Sequence, residues 1–189
     1  IYHFAFPILL FLYIAYLPLD VLEVDAAQYA SISLEMLQNQ SYLQVYDLQK
    51  DYLDKPPMLF WLSALSMKIF GIYDWAYRLP SILFLGIALF STFKFAQLKY
   101  NQTVAYLAVL ILASCQAFFL IAHDVRTDTM LMGWVALSIW WIALWEQTDR
   151  WTYFVWAMVA IAGGMMTKGP IALVVPVLAF APQWFFEKK

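Results

Sequence analysis

What most limits this chain is a succession of apolar runs of near membrane-crossing length in its second half, at 79–96, 103–122, 130–145, 151–166 and 170–186, joined by short polar links. A helix rises about 1.5 Å per residue, so roughly 17 to 25 apolar residues reach across a hydrocarbon core of about 30 Å. Residues 1–19 make one more such run, apolar apart from His3 and containing Pro7. That run has neither the basic start nor the small-residue cleavage site of a signal peptide, so it reads as a first span that begins slightly before Ile1. The pattern predicts an all-α integral membrane protein with about six spans. Composition agrees: 64% of residues are hydrophobic and 13% charged, against about 25% charged in a soluble domain. A net charge of −2 without Lys/Arg runs argues against a nucleic-acid partner. The single cysteine, Cys115, can build neither a disulfide framework nor a thiolate metal site.

One long polar interval, 20–78, interrupts the greasy text. Its segment Val24 to Leu37 spaces Tyr29, Ile32, Leu34, Met36 and Leu37 between Asp25, Gln28 and Glu35, as a short amphipathic helix at a membrane surface would. Residues 39–54 read as a loop with an extended piece. Next comes Asp54-Lys55-Pro56-Pro57, where proline fixes φ and biases the preceding residue away from helix, so an acid and a base stand on an ordered, non-helical loop. Met58 to Ile72 is apolar but short for a span, and is placed as a helix along the interface. Topology turns on that placement. If Met58–Ile72 does not cross, interval 20–78, loop 123–129 and turn 167–169 share one face. That face then holds ten of the thirteen carboxylates, Asp20 among them. The opposite face carries Lys94, Lys99, Arg150, Lys188 and Lys189, which matches a cytoplasmic side, but the acidic face carries Lys50, Lys55, Lys68, Arg78, Arg126 and Lys168, so counting cations does not settle orientation.

Read in order, VDAAQYASISLEML, YLDKPPMLFWLSALSMKIFG, YRLPS, DVRTDTMLM and MTKGPIALVVP resemble the amino-terminal portion of the polyprenyl-phosphate-sugar-dependent membrane glycosyltransferases. These are the aminoarabinose–lipid A transferases and their protein O-mannosyltransferase relatives. The resemblance implies a C-type glycosyltransferase bundle with interfacial helices in the first extracytoplasmic loop, as one part of a longer enzyme in a bacterial cytoplasmic membrane. It implies transfer of a hexosyl or pentosyl unit from a polyprenyl-phosphate donor to a hydroxyl of lipid A, protein or polysaccharide. It also implies an acid in the first loop, matched by Asp25, and an acid-Lys-Pro motif, matched by Asp54-Lys55-Pro56, whose acid binds a divalent metal in some relatives. Many members have a second acid directly after the first; here that position is Ala26.

Such chemistry needs a carboxylate to take the acceptor's proton, and cations or a metal for the leaving phosphate. Asp25 fits the catalytic base, or a solvated start of the amphipathic helix. Lys55, Lys168, Arg78 and Arg126 fit phosphate binding, or anchoring and snorkelling toward headgroups. Asp128 fits substrate binding or an N-cap of the fourth span, and Tyr29, on the same first-loop helix as Asp25, fits substrate or phosphate binding. Asp54 fits a metal or substrate contact, or an ion pair with Lys55; His123, followed by Asp124, fits a metal ligand or a wet loop. Gly163-Gly164 reads as close helix packing rather than a phosphate cradle. The different-class alternative is a transporter or lipid-binding scaffold that uses the same charges as a polar pathway, although no broken-helix repeat is visible.

Overall fold

The structure, a computed structural model, describes residues 2–17 and 23–187. Asp20, Lys188 and Lys189, which enter the charge pattern above, lie outside the described residues. In chain order the elements are α1 (Tyr2–Ala15), α2 (Val24–Asn39), β1 (Tyr46–Asp47), β2 (Lys50–Asp51), α3 (Met58–Phe70), α4 (Asp74–Lys99), α5 (Gln102–Ser114), α6 (Gln116–His123), α7 (Thr127–Thr148), α8 (Trp151–Lys168) and α9 (Ile171–Glu187). The two strands form a minimal antiparallel hairpin, pairing Tyr46 with Asp51 and Asp47 with Lys50. Everything else of regular structure is helical, as an all-α membrane bundle requires.

The bundle is built around α7, which packs along α4 on one side and α8 on the other. Helix α4 carries Asp74 in its first turn and Lys99 in its last, the placement that complements a helix dipole. Gly133 lets α7 approach α4 closely: a Cβ there would sit 2.8 Å from the Phe84 carbonyl oxygen. Gly163 lies against the Trp134 ring, and Gly164 against Ala172 on α9. The glycine pair is therefore packing, as its sequence indicated.

By length and apolarity, α4 and α7 each suffice to cross a membrane, and α5 with α6 makes a third candidate as a bent pair. The continuous run expected at 103–122 is thus two helices meeting at 60° around Cys115. No Pro or Gly marks this break, so hydrophobicity alone ran through it. Cys115 adopts an extended backbone, and the Tyr13 hydroxyl donates to the Ala113 carbonyl in the last turn of α5, where a helix end leaves carbonyls without helical partners.

A comparable device joins α3 to α4. Pro80 lies inside α4 and has no N–H to give the carbonyl four residues earlier, that of Ala76. The Ser66 hydroxyl of α3 donates to that carbonyl at 2.5 Å. In a lipid environment each freed backbone group needs such a partner.

The first-loop helices sit on the bundle through their own core. One stripe of α2 (Ala26, Tyr29, Ile32, Met36) meets one stripe of α3 (Leu59, Phe60, Ala64, Met67), and Tyr77, Phe84, Val125 and Met130 complete the cluster. Helix α3 spans only about 20 Å at 1.5 Å per residue, and its other face leaves Leu65, Ile69 and Phe70 exposed. Exposed Ile8, Leu10 and Phe11 on α1, with Val174, Val177 and Leu178 on α9, give the bundle an apolar outer surface. The protein is a multi-pass membrane protein.

Candidate active site

Three segments far apart in sequence meet at one end of α7. The start of α2 brings Glu23 and Asp25, the α6–α7 loop brings Asp124 and Arg126 with Asp128 in the first turn of α7, and the end of α8 brings Lys168. Arg126 reaches Glu23 at 3.3 Å and Asp25 at 3.8 Å, about 100 residues away, and its Nε lies 3.9 Å from Asp124. Lys168, in the last turn of α8, donates to Asp128 in the first turn of α7 at 2.5 Å. The α2 segment is held against α4 by the Tyr77 hydroxyl, which donates to the Ala26 carbonyl.

The turn that aims Arg126 is strained. Val125 is fully buried with φ at +50°, a left-handed conformation that a β-branched residue rarely adopts. Such a conformation costs on the order of 1–3 kcal/mol and persists where the surroundings impose it. Here Val125 sits in the core beneath α2 and α3 while the residues on either side, Asp124 and Arg126, turn outward to the charged cluster.

The Asp-Lys-Pro-Pro loop forms the next wall. Lys55 pairs with Asp54 at 2.9 Å. That hydrogen bond, with the attraction behind it, holds the Asp54 carboxyl below the usual carboxylate range and raises the Lys55 ammonium. Lys55 also lies within electrostatic reach of Asp25 and Tyr29. Burial raises the Tyr29 phenol, against an opposing pull from Lys55. Lys55 and Lys168, with Asp54 and Gly169, line one open cavity of about 550 Å³, whose rim carries the exposed Leu43 and Leu53. Two cations thus face a space large enough for a phosphate and part of a sugar, with an apolar lip beside them.

Two of the sequence candidates point elsewhere. Arg78 is buried; its Nε donates to the His123 carbonyl and a terminal nitrogen to the Leu17 carbonyl, so it serves backbone oxygens at the ends of α6 and α1. His123 is also buried, its ring nitrogens 2.8 Å from the Phe119 carbonyl and 3.2 Å from that of Tyr13, and it stacks on Tyr13. Neither ring nitrogen is offered to a metal. Among the described residues no three His, Cys, Asp or Glu side chains converge on a point that could hold one, and Asp54 is occupied by Lys55. The described residues do not by themselves form a divalent-metal centre.

Sequence reasoning had counted Glu23 only as one more carboxylate. It occupies the N-cap position of α2 without capping the helix, and turns its carboxylate to Arg126 instead. An acid two residues before Asp25, at a position where Ser, Thr, Asp or Asn is usual, was the available signal.

The model of the family described as dolichyl-phosphate-mannose-protein mannosyltransferase matches residues 54–186. Among curated proteins, the chain is 30% identical over 171 residues to an undecaprenyl phosphate-alpha-4-amino-4-deoxy-L-arabinose arabinosyl transferase of Proteus mirabilis, covering 87% of this chain and 31% of that protein. It is 31% identical over 195 residues to the correspondingly named protein of Photorhabdus laumondii, covering 98% of this chain and 35% of that one. The chain therefore spans about a third of the length of the curated relatives it matches. Among solved structures, ArnT from Cupriavidus metallidurans in the apo state superposes with a TM-score of 0.86 at 20% identity, over 98% of this chain and 36% of that one. The same protein bound to undecaprenyl phosphate gives 0.85 over 97% and 36%. These superpositions establish the shared fold.

Proposed function

We propose, from the premise that the chain belongs to the dolichyl-phosphate-mannose-protein mannosyltransferase family, that it contributes the donor-phosphate and catalytic-base side of a membrane glycosyltransferase. The observation that carries this reading is the convergence of Lys55 and Lys168 on one cavity, with Asp25 close enough to act electrostatically on Lys55.

The donor is a polyprenyl-phosphate sugar and the acceptor a hydroxyl, with lipid A the acceptor that the aminoarabinose relatives favour. Asp25 accepts the proton of the acceptor hydroxyl as its oxygen attacks the anomeric carbon. The bond from that carbon to the phosphate oxygen breaks, and the polyprenyl phosphate leaves with its new negative charge. Lys55 and Lys168 hold that phosphate, as cations already in place stabilise the charge that develops on it. Asp128 orients the Lys168 ammonium through their ion pair, and Tyr29 borders the base. The transferred unit is a pentose or hexose, and the relatives' names put an aminopentose first. The site lies on the extracytoplasmic face of a bacterial cytoplasmic membrane, the side that the family resemblance gives to the first loop and that ten of the thirteen carboxylates occupy.

The test is sugar transfer from a polyprenyl-phosphate donor by the full chain in bilayer nanodiscs. Loss of general-base action in Asp25→Asn is expected to lower turnover by about 10²- to 10⁴-fold with membrane insertion intact. Unchanged transfer would remove Asp25 from the role.

A further inference from the structure

Arg126 is a third cation near the site, and its geometry separates it from Lys55 and Lys168. Those two line the cavity; Arg126 is turned away from it and toward carboxylates. Its approach is graded, nearest to Glu23 at 3.3 Å, then Asp25 at 3.8 Å and Asp124 at 3.9 Å. Glu23 forgoes helix capping to make this contact, and the left-handed, buried Val125 sets the direction in which the Arg126 side chain leaves the chain. Two independent departures from ordinary backbone and capping behaviour thus serve one contact. That contact spans the start of α2 and the α6–α7 loop.

We propose that Glu23 and Arg126 form a positioning pair that fixes the carboxylate of Asp25 for the acceptor hydroxyl. Glu23 anchors the guanidinium at its closer distance, and the guanidinium takes one oxygen of Asp25, Oδ2, at its longer one. The other oxygen of Asp25 is left to receive the proton. Asp124 supports the guanidinium from its own loop. A fixed base matters because a misplacement of about 1 Å in a reacting group can cost on the order of 100-fold in rate. The same arrangement bears on the position after Asp25, where Ala26 stands: a second acid is supplied from two residues before Asp25, by Glu23, and is neutralised by Arg126. This inference rests on the proposed role of Asp25.

Its test compares Glu23→Gln, Arg126→Gln and Arg126→Lys with the wild-type full chain in nanodiscs, by steady-state transfer and by the rate at which a water-soluble carbodiimide modifies Asp25, located by peptide mapping. For the two Gln variants, kcat is expected to fall by about 10- to 100-fold, with KM for the polyprenyl-phosphate donor unchanged. The double Gln variant should fall no further than either single one, because the two side chains act as a unit. Arg126→Lys should recover part of the rate, and Asp25 should be modified faster in both Gln variants. Wild-type kcat in Glu23→Gln, or a raised donor KM at unchanged kcat in Arg126→Gln, would overturn the pair and make Arg126 a phosphate ligand. Equal carbodiimide rates would overturn it as well. If the full-length protein that contains this chain transfers no sugar, the glycosyltransferase reading fails, while the modification rates still decide whether the pair holds Asp25.

Discussion

Helix α7 carries an ion pair to a neighbouring helix at each end, and the two ends differ in what surrounds the pair. At one end Lys99 of α4 reaches Glu146 at 3.4 Å, and the indole N–H of Trp184 donates to the other Glu146 oxygen. Trp145 and Trp184 pack over that pair with Phe154 and Phe180, and the Glu146 side chain is only 12% exposed. At the other end Lys168 pairs with Asp128, whose side chain is 44% exposed, at the edge of an open cavity. Charge type and sequence spacing are nearly the same in the two pairs. The difference lies in what each end offers. The cavity of about 400 Å³ beside Glu146 is lined by Trp145, Asp149 and Trp184, and the Glu146 carboxylate already has a second donor. The cavity at the other end presents a second lysine to a ligand.

The strongest way to break this contrast is to remove the lysines. Charge-assisted hydrogen bonds contribute about 1.5–3 kcal/mol. Lys55→Ala and Lys168→Ala are therefore each expected to weaken binding of undecaprenyl phosphate in nanodiscs by about 10- to 100-fold. Lys99→Ala should leave that affinity unchanged; equal losses from all three would mean that the two ends do not differ. Gly133→Ala probes the frame both ends share. Its Cβ would meet the Phe84 carbonyl at 2.8 Å, and a loss of about 1–3 kcal/mol in thermal unfolding is expected from such overpacking.

How far these differences could be read in the sequence depended on which force decided each feature. Helices α2 and α3 were legible because one stripe of each had to be apolar. Asp25, Lys55, Asp128 and Lys168 stood out as charges beside long apolar runs. The break at Cys115 was hidden, because it rests on a contact between Tyr13 and a carbonyl 100 residues away. Arg78 and His123 looked like ligand-facing residues for a related reason. In a membrane bundle, helix ends and prolines leave carbonyls that need donors, and a buried Arg, His or Ser that meets this need cannot be told by composition from one that awaits a ligand. Glu23 was overlooked because its partner, Arg126, comes from a loop 103 residues further on.

Smaller effects refine the comparison. Trp184→Phe removes the donor to one Glu146 oxygen, and a stability loss of about 1 kcal/mol is expected with transfer unaffected. Asp124 gives the smallest signal. Burial first, then the charge of Glu23, raises its carboxyl pKa. A folded-state pKa above the unfolded one contributes stability that is present below the unfolded pKa and lost as pH rises through the folded value. Asp124→Asn should therefore raise the unfolding midpoint slightly at neutral pH, with the gain disappearing in acid. A gain of the same size at both pH values would show that charge is not its cause.

The central claim is that the first loop, the α6–α7 loop and the α8–α9 turn share one side of the membrane, away from the Lys99–Glu146 end. The most direct measurement is labelling by a membrane-impermeant maleimide after Cys115→Ser, with single cysteines placed at Val24, Asp128, Gly169 and Asp149 in turn. The account predicts that Val24, Asp128 and Gly169 label from the same side and Asp149 from the other. Labelling of Val24 and Asp128 from opposite sides would contradict it.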